Sequence, residues 1–267
     1  MLEQSRRTFL RTSGLAAAGI AAGMRRSCAT GVSTDLSGGA IKLGVATYSL
    51  RELSRTDAIA GIRAMGAGYA SVKSFHLPYE DSPEQLAAGA REFSDAGIEI
   101  VGGGVIYLTE PDDDHIRRHF EYARHCGMPL MVIGPTRETL PRIERFVKEY
   151  DIAVAIHNHG PEDEHFPAPS DALEVIRDMD PRVGVCVDVG HTTRTGADVV
   201  DEVAACGDRV LDVHMKDLRD LLDGASQVEV GEGAMPVPEI FEQLLKMGYG
   251  GYVNLEYEID AQDPVPG

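Results

Sequence analysis

The sequence has no tryptophan, few cysteines and few basic residues for its 267 positions. The four cysteines form no C-x-x-C pair, which argues against a zinc ribbon or a thioredoxin-type redox site. Only 25 basic residues stand against 43 acidic ones, so the formal net charge is −18. A surface of this sign repels phosphate backbones. It therefore argues against a nucleic-acid partner and favours a neutral substrate, or one bound through a cation.

Long apolar runs are also missing. The apolar stretch near the N-terminus, Gly14 to Met24, is too short to span a bilayer, and no transmembrane segment is predicted. The stretch follows Arg6 and Arg7, and paired arginines before a short Ala- and Gly-rich segment resemble a twin-arginine export signal. Residues 1–30 are interpreted as this leader, with cleavage after Ala29 and a periplasmic location. Without them 20 basic and 42 acidic residues remain, a net charge of −22.

Residues 38–267 repeat one unit, in which a short β-branched run is followed by a polar turn and a stretch of helical periodicity. The predicted strands are Ile41–Thr47, Tyr69–Lys73, Ile98–Val101, Leu130–Ile133, Ile152–Ile156, Val183–Val187, Val210–His214 and Tyr252–Glu256. The predicted helices are Thr56–Met65, Ser82–Ala96, Asp112–Cys126, Arg137–Glu149, Ser170–Met179, Ala197–Cys206 and Val237–Met247. Alternating strands and helices imply parallel pairing through right-handed crossovers. Eight such units predict an α/β fold, a closed (β/α)8 TIM barrel.

Two details refine this prediction. An open doubly wound sheet would carry a G-x-G-x-x-G turn after an early strand, and the first strand here ends in Ala46-Thr47-Tyr48-Ser49 instead. The run Gly102-Gly103-Gly104 after the third strand is expected to be a tight turn. No helix pattern follows the eighth strand. The barrel is therefore expected to lack its last helix, through truncation of the sequence or through an unusual closure.

Ionisable side chains stand at the ends of five predicted strands. They are Lys73, His157, Asp188, His214 and Glu256. Because the C-terminal ends of barrel strands surround one mouth, we expect these side chains to meet there. Four more candidates follow the same strand ends, namely His76, His159, His191 and Lys216.

A metal site is predicted among these residues. Two carboxylates and two imidazoles make up the candidate ligand set, which is His157, Asp188, His214 and Glu256. Mixed nitrogen and oxygen ligands suit one divalent cation such as Mn, Co, Fe or Zn, with Mg as an alternative, and they suit Ca²⁺ poorly. For each of the four residues, the alternative to metal binding is a purely structural role as a hydrogen-bonded side chain at a buried strand end. His157 and His159 share the same facing along their strand, so either could be the ligand.

The two lysines are unusual beside a metal shell. A lysine held near a metal and an apolar wall can have a lowered pKa and act as a base. Lys73 could instead extend to the rim of the mouth, and Lys216 could form a salt bridge with Asp217. His76 lies in a loop over the same mouth, as a substrate contact or as a rim residue.

The motifs together resemble a known family. They are the opening Leu43–Leu50, the step Asp188-Val189-Gly190-His191, the step His214-Met215-Lys216-Asp217 and the closing Asn254-Leu255-Glu256. From Ile41 to about Glu258 the chain resembles the sugar phosphate isomerase/epimerase family, the xylose-isomerase-like barrels, and within it the exported branch with a twin-arginine leader. The resemblance implies one divalent metal held by Asp188, His214 and Glu256, with His191 in a substrate-contacting position. The sequence departs from many relatives at His157, where they have a glutamate that also moves a proton.

The resemblance implies a sugar isomerase or epimerase acting on a sugar or keto-sugar. In such enzymes the metal chelates a carbonyl oxygen and a neighbouring hydroxyl, which acidifies the α-C–H and stabilises an enediolate. The candidate bases are Glu256, His159 and Lys73, and the candidate substrate contacts are His191, Lys216 and His76. A lyase or dehydratase on keto-sugars or 3-keto-glycosides would use the same site, and a non-catalytic sugar-binding barrel is a further alternative. The sequence leaves open whether the protein forms a homo-oligomer.

Overall fold

The computed structural model describes residues 39–266, so the leader interpreted at residues 1–30 lies outside the described residues. Eight parallel strands close into a barrel, which confirms the predicted fold. In chain order they are β1 (Lys42–Ala46), β2 (Tyr69–Val72), β3 (Glu99–Leu108), β4 (Leu130–Pro135), β5 (Ala153–His157), β6 (Val183–Asp188), β7 (Val210–Met215) and β10 (Tyr252–Leu255). A two-stranded antiparallel hairpin, β8 (Asp217–Leu218) and β9 (Gln227–Val228), follows β7. Around the barrel the order is β1-β10-β7-β6-β5-β4-β3-β2.

Helices connect the strands. They are α1 (Arg55–Ala64), α2 (Pro83–Asp95), α3 (Asp113–Cys126), α4 (Leu140–Tyr150), α5 (Pro169–Ile176), α6 (Val189–Arg194), α7 (Val199–Cys206) and α8 (Val237–Lys246). The short helix α6 has no counterpart in the sequence-based prediction. Ser82 begins α2 with a capping box, because its hydroxyl accepts the Gln85 N–H while the Gln85 side chain accepts the Ser82 N–H. In the described part of the chain no helix is long and apolar enough to cross a bilayer.

The core has two layers. The larger layer lies between the barrel and its helices, where side chains such as Phe93, Phe120 and Ile133 are fully buried. A smaller cluster includes Val132, Ala155 and Cys186, whose strand positions alternate with those of the larger layer. This alternation places the smaller cluster inside the barrel, as the pleat of a closed sheet requires.

The glycine run at Gly102–Gly104 lies inside β3 and is not the tight turn expected from the sequence. A Cβ atom on Gly103 would stand 2.6 Å from the Val72 carbonyl oxygen, and one on Gly104 would stand 2.1 Å from the Val132 carbonyl oxygen. Glycine is therefore needed here for close approach of neighbouring strands, and it does not end the strand. Glycine favours both tight turns and close approach of strands, so a glycine run alone does not distinguish the two.

No helix follows β10 within residues 39–266, which agrees with the expected lack of a final helix. The last described residues instead return to the first helix. Val265 packs on Gly61 of α1, where an added Cβ would stand 3.1 Å from its Cγ2. The described segment after β10 thus ends in contact with α1.

Candidate metal centre and active site

Four buried side chains meet at the C-terminal ends of adjacent strands. His157 ends β5, Asp188 ends β6, His214 lies in β7 and Glu256 directly follows β10. The strand register places these side chains at a similar height along the barrel axis, because Asp188 pairs with His214 and His214 pairs with Asn254. The four are at most 7% exposed. One ligand atom from each can be chosen so that all four lie within 4.8 Å of one another.

The spacing of these atoms fits a small cation. His157 Nε2 lies 3.1 Å from His214 Nδ1 and 3.5 Å from Asp188 Oδ2, and His214 Nδ1 lies 3.4 Å from Glu256 Oε1. Ligands at about 2.1 Å from one ion stand about 3.0–3.4 Å apart in octahedral or tetrahedral geometry. Asp188 Oδ2 is buried and accepts no hydrogen bond within the described residues. The set is therefore suited to hold a divalent metal ion.

The protonation states suit the same role. Burial lowers the pKa of His157 to about 3, so its imidazole is neutral and available as a ligand. Burial raises the pKa values of Asp188 and Glu256, but Lys216 and the neighbouring histidines together lower both by more, and each ends well below its ordinary value. Both carboxylates are thus ionised at neutral pH.

Lys216 is the cation that balances these carboxylates. Its ammonium lies 2.8 Å from Glu256 Oε2, 2.7 Å from Glu258 Oε1 and 3.0 Å from Asp188 Oδ2. The last contact is an ion pair without hydrogen-bond geometry. Burial lowers the pKa of Lys216, yet the carboxylates raise it by more, so it stays charged. The alternative partner for Lys216, Asp217, instead accepts N–H groups from the loop that follows β9.

A second carboxylate lies behind His214. Asp212 Oδ2 and His214 Nε2 are 3.8 Å apart, and both are buried without a hydrogen-bond partner in the described structure. Asn254 donates to the other Asp212 oxygen at 2.7 Å. Burial raises the pKa of Asp212 to about 6. A carboxylate in this place orients a ligating histidine through its second ring nitrogen.

An open pocket of ≈ 380 Å³ lies against this cluster. Its lining residues are Tyr48, Lys73, Val105, Tyr107, His157, His159, His191, Glu256 and Glu258. The wall divides into two arcs of the barrel. The ligands come from the neighbouring strands β5, β6, β7 and β10, whereas Tyr48, Lys73 and Tyr107 belong to or follow β1, β2 and β3.

The profile of one protein family, described as "Xylose isomerase-like TIM barrel", matches residues 59–266. The chain belongs to this family. Solved structures with this fold include epimerases and dehydratases, so both isomerase and lyase chemistry occur on such barrels.

Sequence relatives of this xylose isomerase-like barrel cover most of it. The rhizopine catabolism protein MocC of Rhizobium meliloti is 29% identical, and the match covers 69% of this chain and 70% of the relative. An uncharacterized protein of Methanocaldococcus jannaschii is 28% identical over 192 residues, 68% of this chain and 62% of its own length. The chain thus spans less than two thirds of that relative. Inosose dehydratase of Lactiplantibacillus plantarum is 22% identical over 262 residues, 82% of this chain and 84% of the enzyme.

Solved structures share the fold at lower identity. The probable 3-DHS dehydratase AsbF of Bacillus anthracis aligns with a TM-score of 0.70 at 16% identity, covering 84% of this chain and 96% of that one. A D-tagatose 3-epimerase-like protein aligns with a TM-score of 0.68 at 21% identity, covering 85% and 94%. The IolI protein with a bound zinc atom aligns with a TM-score of 0.69 at 17% identity, covering 85% and 94%.

The structure of this xylose isomerase-like barrel brings most of the predicted site residues together. His159 and His191 line the pocket with their rings 5.0 Å apart, and Lys73 lines it from the opposite arc. Lys216 is buried among carboxylates and is not one of the lining residues. His76 is not brought to the pocket either. It is buried beside α1, with its Nε2 3.3 Å from the Leu53 carbonyl oxygen, because the loop after β2 turns its ring inward.

Five functional positions were not singled out from the sequence. They are Tyr48, Tyr107, Asn158, Asp212 and Glu258. Asn158 holds Asp188 through its Oδ1, which accepts the Asp188 N–H at 2.9 Å, while its Nδ2 donates to Thr192 Oγ1 at 3.0 Å. Asp212 had a signal in the sequence, since it is a charged residue within an apolar strand. The two tyrosines had none, because their meeting depends on how the short helical turn after β1 and the end of β3 lie around the barrel.

Metal binding to this centre should release protons. Burial lowers the pKa of His214, but Cys186 and Glu256 raise it by more, so its net shift is upward, whereas His157 is already neutral. A ligating imidazole must be deprotonated, so we expect about one proton to leave per Zn²⁺ bound near neutral pH. The apparent affinity should then fall as the pH drops below the pKa of His214. Calorimetry in buffers of different ionisation enthalpy measures the proton count, and a count of zero at neutral pH would contradict this assignment.

Proposed function

We propose that this protein is a metal-dependent sugar isomerase or epimerase that moves a proton next to a carbonyl group. The observation that carries the proposal is the juxtaposition of the four buried donors with Lys73 and His159 in one pocket. The proposal is supported by the epimerases among the proteins of similar fold. The acidic surface is consistent with an uncharged substrate.

A divalent ion held by His157, Asp188, His214 and Glu256 would polarise a carbonyl oxygen and acidify the adjacent C–H bond. The residues around it supply the remaining functions. Glu256 is ionised and kept in place by Lys216 and His214, which suits a ligand better than a freely moving base. Proton transfer is therefore assigned to pocket groups that form no ion pair within the described residues.

Lys73 and His159 are those groups. Burial lowers the pKa of Lys73, with Glu256 and Glu258 opposing the shift, and burial also lowers the pKa of His159. Each shift favours the neutral, basic form that can accept a proton. Lys73 follows β2 and His159 follows β5, three positions apart around a ring of eight strands. Two bases on different sides of a substrate are what epimerisation requires, since one removes a proton and the other returns one.

A lyase or dehydratase acting on keto-sugars or 3-keto-glycosides is the second candidate. The same first step would leave a carbanion that expels a β-substituent, with the second group protonating the leaving oxygen. The dehydratases among the relatives and structures of similar fold favour it. So does His157, which replaces the glutamate that moves a proton in many barrels of this kind.

Deuterium exchange tests both candidates without knowledge of the product. The chain loaded with Mn²⁺, Co²⁺, Zn²⁺ or Mg²⁺ is incubated in D₂O with a panel of ketoses, keto-sugars and 3-keto-glycosides. For at least one compound of the panel, we expect NMR to show deuterium incorporated at the carbon next to the carbonyl. An epimer supports the first candidate, and an eliminated product supports the second. Sugar binding without any exchange or turnover would overturn both and favour the non-catalytic sugar-binding barrel.

Replacing Lys73 by methionine tests its role in proton transfer. A positioned acid or base contributes about 10²–10⁴-fold to a rate, so kcat should fall by that range while metal content is unchanged. The matched control is Lys148→Met, which removes an exposed lysine paired with Glu144 on α4 and should leave kcat intact. Equal turnover of the two variants would contradict the assignment of Lys73.

The export of the protein is proposed on Arg6 and Arg7, which lie outside the described residues. Changing both to lysine should abolish transport by the twin-arginine route, because that route reads the arginine pair. Changing Arg25 and Arg26 to lysine is the matched control and should leave transport intact. Cell fractionation with immunoblotting measures both, and normal export of the Arg6/Arg7 variant would show that the leader has been misread.

A further inference from the structure

His191 has a side-chain partner outside the metal cluster. Arg194, one turn along the short helix α6, places its Nη1 3.0 Å from His191 Nδ1. The backbone N–H of His191 donates to Asp188 Oδ1 at 2.7 Å, so the ring is fixed relative to the metal cluster at its base. The ring itself lines the pocket, whereas Arg194 does not.

The guanidinium of Arg194 lies in a confined space. Its side chain is only 13% exposed, and its Nη2 forms an ion pair with Glu162. Two glycines leave room for it, since a Cβ on Gly160 would stand 3.3 Å from Arg194 Nη1 and one on Gly224 would stand 3.1 Å from its Nε. Gly160 also has a φ of +82°, a conformation that favours glycine. The contact with His191 is thus held from several sides.

A guanidinium has five N–H donors, no acceptor, and does not lose its proton in proteins. The nitrogen that faces it must therefore be an acceptor, so His191 Nδ1 presents its lone pair. In the neutral imidazole the single ring proton then resides on Nε2. The histidine is left with one donor for the pocket.

We propose that Arg194 is a positioning residue that fixes the Nε2–H tautomer of His191, which then donates a hydrogen bond to a substrate oxygen. The hydrogen bond to substrate rests on the proposed function. It deepens that function by specifying that the substrate presents a hydrogen-bond acceptor, a carbonyl or alkoxide oxygen, to His191. The tautomer itself is independent of any activity.

The tautomer can be measured by NMR on the full chain, diamagnetic and labelled with ¹⁵N-histidine. Long-range ¹H–¹⁵N correlation at mildly alkaline pH distinguishes Nε2–H from Nδ1–H rings, and the His191 signals are those lost in His191→Gln. We expect only Nε2–H in the wild type. Arg194→Met should show a mixture of both tautomers, and Arg194→Lys, which still presents only donors, should restore Nε2–H. Arg117→Met, which removes an arginine paired with Glu149 on the outer surface, is the matched control and should not change His191.

Kinetics supply the second readout once a substrate is known. Arg194→Met should lower kcat/KM on the order of 10–100-fold, the range for groups that orient a functional histidine through its other nitrogen, with metal affinity unchanged. An Nδ1–H signal for His191 in the wild type overturns the proposal, even if Arg194→Met fails to fold. An unchanged tautomer in a folded Arg194→Met protein overturns it as well. Absence of any turnover with the expected NMR result would overturn the proposed function and leave the tautomer assignment standing.

Discussion

Replacing Asp188 by asparagine should lower the affinity for a divalent cation by more than about 100-fold, beyond the range for groups that only orient a ligand. Asparagine keeps the volume and the Oδ1 acceptor that receives the His191 N–H. It removes the negative charge and puts an amide nitrogen, which cannot ligate a metal, where Asp188 Oδ2 faces His157 Nε2. Equilibrium dialysis with metal analysis measures the loss, and turnover should disappear with it.

His191→Ala is the control for this prediction. It removes a pocket side chain three residues away but no member of the ligand set, so metal affinity should remain near the wild-type value while substrate binding weakens. Equal metal loss in both variants would contradict this division of roles. Full metal occupancy and turnover in Asp188→Asn would place the metal site elsewhere.

The second large effect is expected for Lys216→Met without metal. Lys216 lies within 3.0 Å of three carboxylate oxygens, one each from Asp188, Glu256 and Glu258. Removing one partner of a buried ionic cluster leaves uncompensated charge, which typically costs about 3–5 kcal/mol in the free energy of unfolding. Denaturant unfolding at neutral pH measures the cost. Lys148→Met, which removes an exposed i,i+4 pair, should cost no more than about 0.5 kcal/mol.

The stability that Lys216→Met loses depends on pH in a defined direction. In the wild type the pKa values of Asp188 and Glu256 are depressed below those of the unfolded chain, so their stabilising contribution is present at neutral pH and is lost as the pH falls. Without Lys216 both pKa values would rise, because its positive charge would no longer lower them, and protonation would relieve the repulsion between the carboxylates. The deficit of Lys216→Met should therefore shrink on acidification, and also on addition of Zn²⁺ at neutral pH. A variant as stable as the wild type in metal-free buffer at neutral pH would show that Lys216 is not the balancing cation.

The barrel was predictable because alternation of apolar runs and amphipathic helices is a local signal, and closure follows from connection geometry. The meeting of His157, Asp188, His214 and Glu256 follows from the same reasoning, since each stands at a strand end. The extent of β3 was not predictable in the same way. Its glycines are required because the carbonyl groups of Val72 and Val132 approach them closely from the neighbouring strands. Both residues are distant from β3 in the chain.

The directions of loop side chains were even less predictable from local sequence patterns. His76 and His191 both follow strand ends, yet the first turns into the core beside α1 and the second lines the pocket. The difference arises from α6, a short helix that starts directly after Asp188 and places His191 at the pocket. Periodicity cannot reveal a helix of six residues, so sequence patterns gave no means of separating the two histidines.

The two arcs of the pocket wall divide the chain at about its middle. Within the described residues, the aromatic and lysine side of the cavity comes from positions before residue 136, namely Tyr48, Lys73 and Tyr107, and the ligand-bearing strands all begin after residue 152. A protein built this way can exchange its first half-barrel for that of a relative while the residues suited to hold a cation stay untouched. On the proposed function, chimeras joined at the β4–β5 connection would keep the candidate metal ligands and change the wall that faces the substrate.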